Sequence, residues 1–178
     1  HCGENVQVRA SEAGAFTDGR HVYLPSRIDR FGDERDFLIY RVLTARNVGF
    51  LEFGSLEVEL DSLEGEFPSP RPGELELERF FRSFLNPVIA RELFGILEGA
   101  RVEARVRNEY PGIARDMDRL ANDWRPETSE REPTNPVARV LSALKNHAET
   151  GTSGGAVLQS DERAVLEMGA RILRESGG

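Results

Sequence analysis

Apolar and polar positions alternate first along this chain, then settle into helical spacing. Val6-Gln7-Val8-Arg9-Ala10 alternates as a strand does. Thr17-Asp18-Gly19-Arg20 is a turn signal, because Asp-Gly accepts the positive φ of a tight hairpin. His21-Val22-Tyr23-Leu24 reads as a second strand, stopped by Pro25. The expectation is a short N-terminal hairpin or strand pair. Asp33 is placed to cap a helix of about residues 34–53, with Glu34 and Asp36 in its first turn. On that helix Ile39, Leu43, Arg46 and Phe50 fall within one arc at ~100° per residue, which puts Arg46 on the apolar stripe.

Residues 52 to 78 hold nine acids and one base, Arg71, and are broken by Pro68, Pro70, Pro72 and Gly73. They read as a loop with a short strand near Glu57–Leu60. The acidity suits a solvated surface, with a partner-docking strip as the sharper alternative. A short helix is expected over Leu75–Phe84. Asn86-Pro87 is a cap followed by proline at the first helical position, opening a helix to about Asn108. Ile89, Leu93, Ile96, Leu97, Ala100 and Ala104 form one face of it, and Val88, Gly95, Gly99, Val102 and Val106 much of another. A helix apolar on two sides is central, and Gly95 and Gly99 would permit close backbone approach.

Pro111 starts a helix carrying Ile113, Met117 and Leu120 and ending near Trp124. Residues 125–134 have linker composition. Asn135-Pro136 repeats the cap-plus-proline start, followed by Val137, Val140, Leu141 and Leu144 on one face. After the Gly151–Gly155 loop, a last helix of about Asp161–Glu175 uses Val165, Leu166, Met168 and Ile172. The fold class this predicts is α+β, mostly α, with a short strand pair packed on a helical core. The division is a core over 1–125, a linker over 126–135 and a helical extension over 136–178.

Composition narrows the function classes. A net charge of −8 argues against phosphate-backbone binding as the main task. No apolar run approaches the ~20 residues of a membrane span, and no signal peptide opens the chain. The single cysteine, Cys2, forms no internal disulfide, so a reducing, cytoplasmic setting fits. The chain opens on His1, which reads as a stretch of a longer protein. His1, His21 and His147 form no ligand pair at helical spacing.

The sharpest chemical feature is a metal-site frame without metal ligands. Residues 46 and 50 stand where a zinc-type HExxH helix carries its two histidines, and here the frame is Arg46-Asn47-Val48-Gly49-Phe50. Arginine is cationic at any working pH, phenylalanine has no lone pair to give, and Asn47, at the general-base position, takes no proton. No catalytic residue, metal or cofactor is therefore expected. Glu98 stands at the third-ligand position, among Arg91, Arg101 and Arg105. A carboxylate buried without a metal needs another cation. Two pairings are open: Arg46 fills the vacated site and meets Glu98 or Glu52, or Glu98 meets Arg101 or Arg105 on its own helix. Tyr23, Tyr110 and Trp124 read as core or rim aromatics.

Several stretches carry a family resemblance: Thr17-Asp18-Gly19-Arg20-His21-Val22-Tyr23-Leu24-Pro25, Arg27 to Phe31, Phe37 to Leu43, Leu51 to Ser55, Leu97 to Arg105 and Tyr110 to Ile113. Together, over roughly residues 15–120, they resemble the N-terminal region of NorD/CbbO/CoxE-like proteins, which carry a von Willebrand factor A domain further along. The resemblance implies a zincin-like layout. It also implies a role beside a MoxR-type AAA+ ATPase in a chaperone system that activates or matures a target metalloenzyme. Many such proteins have histidines at the positions of Arg46 and Phe50 and an acidic pair at Glu98 and Gly99. This chain departs at 46, 50 and 99, and has no Asp-x-Ser-x-Ser motif. The expected function is a non-catalytic adaptor or scaffold region. The alternative is a zinc metallopeptidase-like hydrolase or its inactive relative, and a third reading is a purely structural helical domain.

Overall fold

The structure is a computed structural model and describes residues 6–123, 135–150 and 159–176. It is α+β and mostly helical: β1 (Gln7–Ala10), β2 (Phe16–Thr17), β3 (His21–Leu24), α1 (Glu34–Glu52), α2 (Glu76–Arg82), α3 (Pro87–Glu109), α4 (Pro111–Asp123), α5 (Pro136–Thr150) and α6 (Ser160–Ser176). Residues Leu60–Ser62 form one 3₁₀ turn where a strand was expected. Trp124 and the 125–134 linker lie outside the described residues. Contacts divide the chain into two units: His1–Leu56 with Val102–Thr128, and Glu57–Arg101 with Ser129–Gly178. This differs from the contiguous division that composition suggests. Helix α3 gives its last residues to the first unit and the rest to the second.

In the first unit the sheet has three strands in the order β1-β3-β2. The Asp-Gly turn does form a hairpin, but between β2 and β3, with Thr17 opposite Val22. β1 joins the other side of β3 in parallel, Val8 opposite Val22. The turn is fixed by Asp18, whose Oδ1 accepts from the backbone N–H of Arg20 and His21, while its Oδ2 meets His21 Nδ1 and the Tyr23 hydroxyl. The backbone hydrogen bond from Arg20, then that from His21, holds the Asp18 carboxyl below the usual carboxylate range. Val22 and Leu24 turn inward and are fully covered.

The chain enters α1 through a second carboxylate. Asp36 accepts from the N–H groups of Arg30, Phe31 and Gly32. Asp33 caps the helix by accepting from Arg35 N at 2.9 Å. The core of this unit is Val102, Val106 and Met117, with Val42, Ala45, Phe50, Phe53 and Ile113 against it.

Gly49 lets α1 and the end of α3 come together. A Cβ there would stand 2.8 Å from Val102 Cγ1 and 3.1 Å from Val106 Cγ2. Of the two glycines expected to serve close packing, Gly95 faces open space, and Gly99 is buried as that expectation requires. Alanine at Gly49 gains up to about 1 kcal/mol of helix propensity but overpacks against two fully buried, χ1-restricted valines, at about 1–3 kcal/mol. Gly49→Ala is therefore expected to lower the melting temperature, whereas Gly95→Ala should raise it.

In the second unit, Asn86 and Asn135 cap α3 and α5 as their sequence predicts, each Oδ1 accepting from N–H groups of the first turn. Val140, Ala143, Leu144 and Leu166 make the core, with Leu93 and Ile96 packed on it. Phe80 and Phe81 meet Phe67, Phe84 and Phe94 in a run of edge-on and tilted rings. The proline-rich loop is tied down by α2. Arg79 donates to the Pro68 carbonyl, and Arg82 donates to the Ser69 carbonyl and forks onto both oxygens of Glu74 at 2.6 and 2.7 Å. That fork, more than the Arg71 N–H, holds the Glu74 carboxyl down to about 2 from its ordinary 4.5.

A carboxyl whose pKa is lower in the folded state stabilises the fold above its unfolded value and loses that contribution as pH falls toward its folded value. The Glu74 share should therefore be full above pH 4.5 and disappear on the way to about 2. Melting followed by circular dichroism across that window should fall less steeply for Glu74→Gln than for the natural chain.

Candidate functional site

The five-residue frame on α1 is occupied by packing. Asn47 is 8% exposed, and its side-chain N–H donates to the Leu43 carbonyl one turn back, at 2.8 Å. Its amide is used to satisfy itself inside the helix. Phe50 packs against the Val102, Val106 and Met117 core. Gly49 makes the close crossing described above. Arg46 is not deep on the stripe: its side chain is 39% exposed.

The charged partners differ from the first pairing expected. Arg46 Nε lies 3.9 Å from Glu103 Oε2, a loose ion pair. Glu103 also takes Arg107 Nε at 3.3 Å, and Arg107 reaches on to Asp118 at 2.7 Å, so the charges run as a line over α1, α3 and α4. Glu98 belongs to the second unit and is held by Arg101 at 2.5 and 2.8 Å, the same-helix pairing left open above. That bond raises the Arg101 guanidinium above its usual range. Glu52 accepts from the Tyr110 hydroxyl at 2.6 and 2.8 Å. Arg105 pairs with Glu109 and lies over the Phe53 ring, 4.8 Å from its centroid. Within the first unit Arg46, Asn47 and Phe50 thus form a packed helix face, and within the second Glu98 is engaged by Arg101.

The Arg46–Glu103 pair is loose and partly exposed, so its contribution to stability is small. Exposed or half-exposed pairs contribute about 0–1 kcal/mol. Arg46→Ala should shift the urea midpoint by no more than an ordinary surface change.

Among the described residues, the buried charges lie elsewhere. Asp116 on α4 has a side chain only 7% exposed, and its Oδ2 sits 2.9 Å from Arg41 Nη1 on α1. Glu162 on α6 is 6% exposed and pairs with Arg139 on α5. A signal for Asp116 was present in the sequence, since it falls within the Ile113, Met117, Leu120 stripe at helical spacing. Among the described residues, no three His, Cys, Asp or Glu side chains gather as a metal site requires. No helix among them is long and apolar enough to cross a membrane. The chain matches no protein-family profile, no curated protein and no solved structure.

Proposed function

We propose that this chain is a non-catalytic adaptor region of a MoxR-type AAA+ ATPase-associated chaperone system that activates or matures a metalloenzyme. Its sequence support is the set of NorD/CbbO/CoxE-like stretches between Thr17 and Ile113. The observation that carries it is the use of the 46–50 frame: Asn47 bonds its own helix, Gly49 seats two valines and Phe50 lines the core. A helix face committed in this way has no donor atoms to offer a zinc ion. On this reading a zincin-like layout persists as scaffold, with its catalysis lost, in the cytoplasm.

The purified chain mixed with a MoxR-type ATPase should co-migrate in sedimentation velocity and change the ATPase rate. Absence of both would remove the reading. The metallopeptidase-like alternative predicts stoichiometric zinc by elemental analysis, and finding it would replace the adaptor reading.

A further inference from the structure

The outer face of the β1-β3-β2 sheet is built for contact. Within β3, Val22 and Leu24 are buried while His21 and Tyr23 alternate to the other side. The register places Arg9 of β1 and Phe16 of β2 on either side of Tyr23, and Gln7 beside His21. Phe16 and Tyr23 stack at 4.5 Å with an 8° interplanar angle, and His21 meets Tyr23 edge-on at 6.0 Å. Phe16 remains 42% exposed.

Arg9 on this face and Arg20 in the adjoining turn are both exposed and have no acidic partner among the described residues. That is notable in a chain of net charge −8, where most arginines of the described helices are held by carboxylates. Uncompensated cations on the face that carries the exposed Phe16 ring and the half-buried Tyr23 suit an anionic partner, and Tyr and Arg are residues on which interfaces concentrate their energy.

The sheet edge says what form the partner takes. Among the described residues β1 pairs on one side only, with β3, and all four of its residues are exposed. Its alternation presents Gln7 and Arg9 on the outer face and Val8, 57% exposed, with Ala10 on the other. We infer that the free edge of β1 receives an extended segment of a partner protein whose residues alternate acidic and apolar. The added strand pairs with β1 through backbone hydrogen bonds. Its acidic side chains stand beside Arg9 on the outer face, with Arg20 one strand further at the turn, and its apolar ones cover Val8; the Phe16–Tyr23 stack lies beyond, on β3 and β2. Open edges of this kind are otherwise aggregation hazards, and a charged residue such as Arg9 guards this one until it is covered. A nucleic-acid strand would also use cations and aromatics, but it requires a longer cationic track and no pairing edge.

This inference gives the adaptor reading a docking surface but stands without the ATPase: peptide binding can succeed where ATPase co-migration fails, and the reverse. The test pans a random dodecapeptide library on the immobilised whole chain, with a random single-stranded DNA pool as a parallel arm. Selected peptides should alternate Asp or Glu with Val, Ile, Leu or Phe. In fluorescence polarisation the best of them should bind about tenfold more weakly to Arg9→Glu/Arg20→Glu, which is about 1.4 kcal/mol. The variant should melt with the natural chain, since both positions are exposed. N-methylation of alternate peptide amides should abolish binding. Failure to enrich any peptide, enrichment without the alternation, equal binding to the double variant, or selection of DNA instead would overturn the proposal.

Discussion

Replacing Glu162 by alanine is expected to cost about 3–5 kcal/mol, one of the two largest single-residue effects in this protein. The Glu162 carboxylate is almost fully covered and serves two elements at once. One oxygen accepts from Arg139 Nη2 on α5, and the other accepts from Gln159 N at the start of α6, at 2.9 Å. The second contact is the return half of a capping box, which ties down the first turn of the helix. Alanine removes the cap and takes this carboxylate away from a guanidinium that is itself only 22% exposed. Glu162→Gln keeps an acceptor but not the charge, and should lose roughly half as much. Replacing both partners, as Arg139→Met/Glu162→Met, should restore much of the stability, because an apolar pair carries no desolvation penalty. Urea unfolding of the four proteins measures this. A double variant no better than Glu162→Ala would show that the pair is worth more than its desolvation.

What the sequence makes legible is what short-range physics decides. The caps at Asp33, Asn86 and Asn135 need only a side-chain oxygen next to a helix start, and two of them are followed by a proline that fits only there. Helix bounds therefore come within a residue or two over α1, α3, α5 and α6. The sheet is different. β2 is two residues long, too short to show alternation, and the parallel pairing of Val8 with Val22 depends on contacts that no local pattern records. Glycine shows the same divide. Gly95 and Gly49 look alike as helix interruptions, yet only Gly49 faces two valines. The candidate site was legible in its chemistry and not in its partners. That Arg46, Asn47 and Phe50 cannot bind zinc follows from their side chains alone. Which acid Arg46 approaches depends on a helix crossing, and with many arginines and carboxylates along α3 the sequence offers several equivalent choices.

The second large effect concerns Leu144. It is 1% exposed and sits at the centre of the α5–α6 core among Val140, Ala143 and Leu166, with Leu93 and Ile96 beside it. Leu144→Ala removes that apolar volume and leaves a cavity, which should cost about 2–5 kcal/mol. What distinguishes this site is Gly169, on α6. A Cβ built there would overlap Leu144 Cδ2, so the glycine exists to admit the leucine. In the natural chain Gly169→Ala should be destabilising by about 1–3 kcal/mol of overpacking, less the helix propensity it gains. With Leu144 already shortened, the same alanine meets no obstacle, fills part of the void and keeps its propensity advantage. Leu144→Ala/Gly169→Ala should therefore be more stable than Leu144→Ala alone, with a coupling of about 1–3 kcal/mol in the double-mutant cycle. Simple additivity of the two substitutions would mean that α5 and α6 do not interlock at this pair. One side chain fills the space that one missing methyl leaves, so guanidinium-chloride midpoints of the four proteins decide it directly.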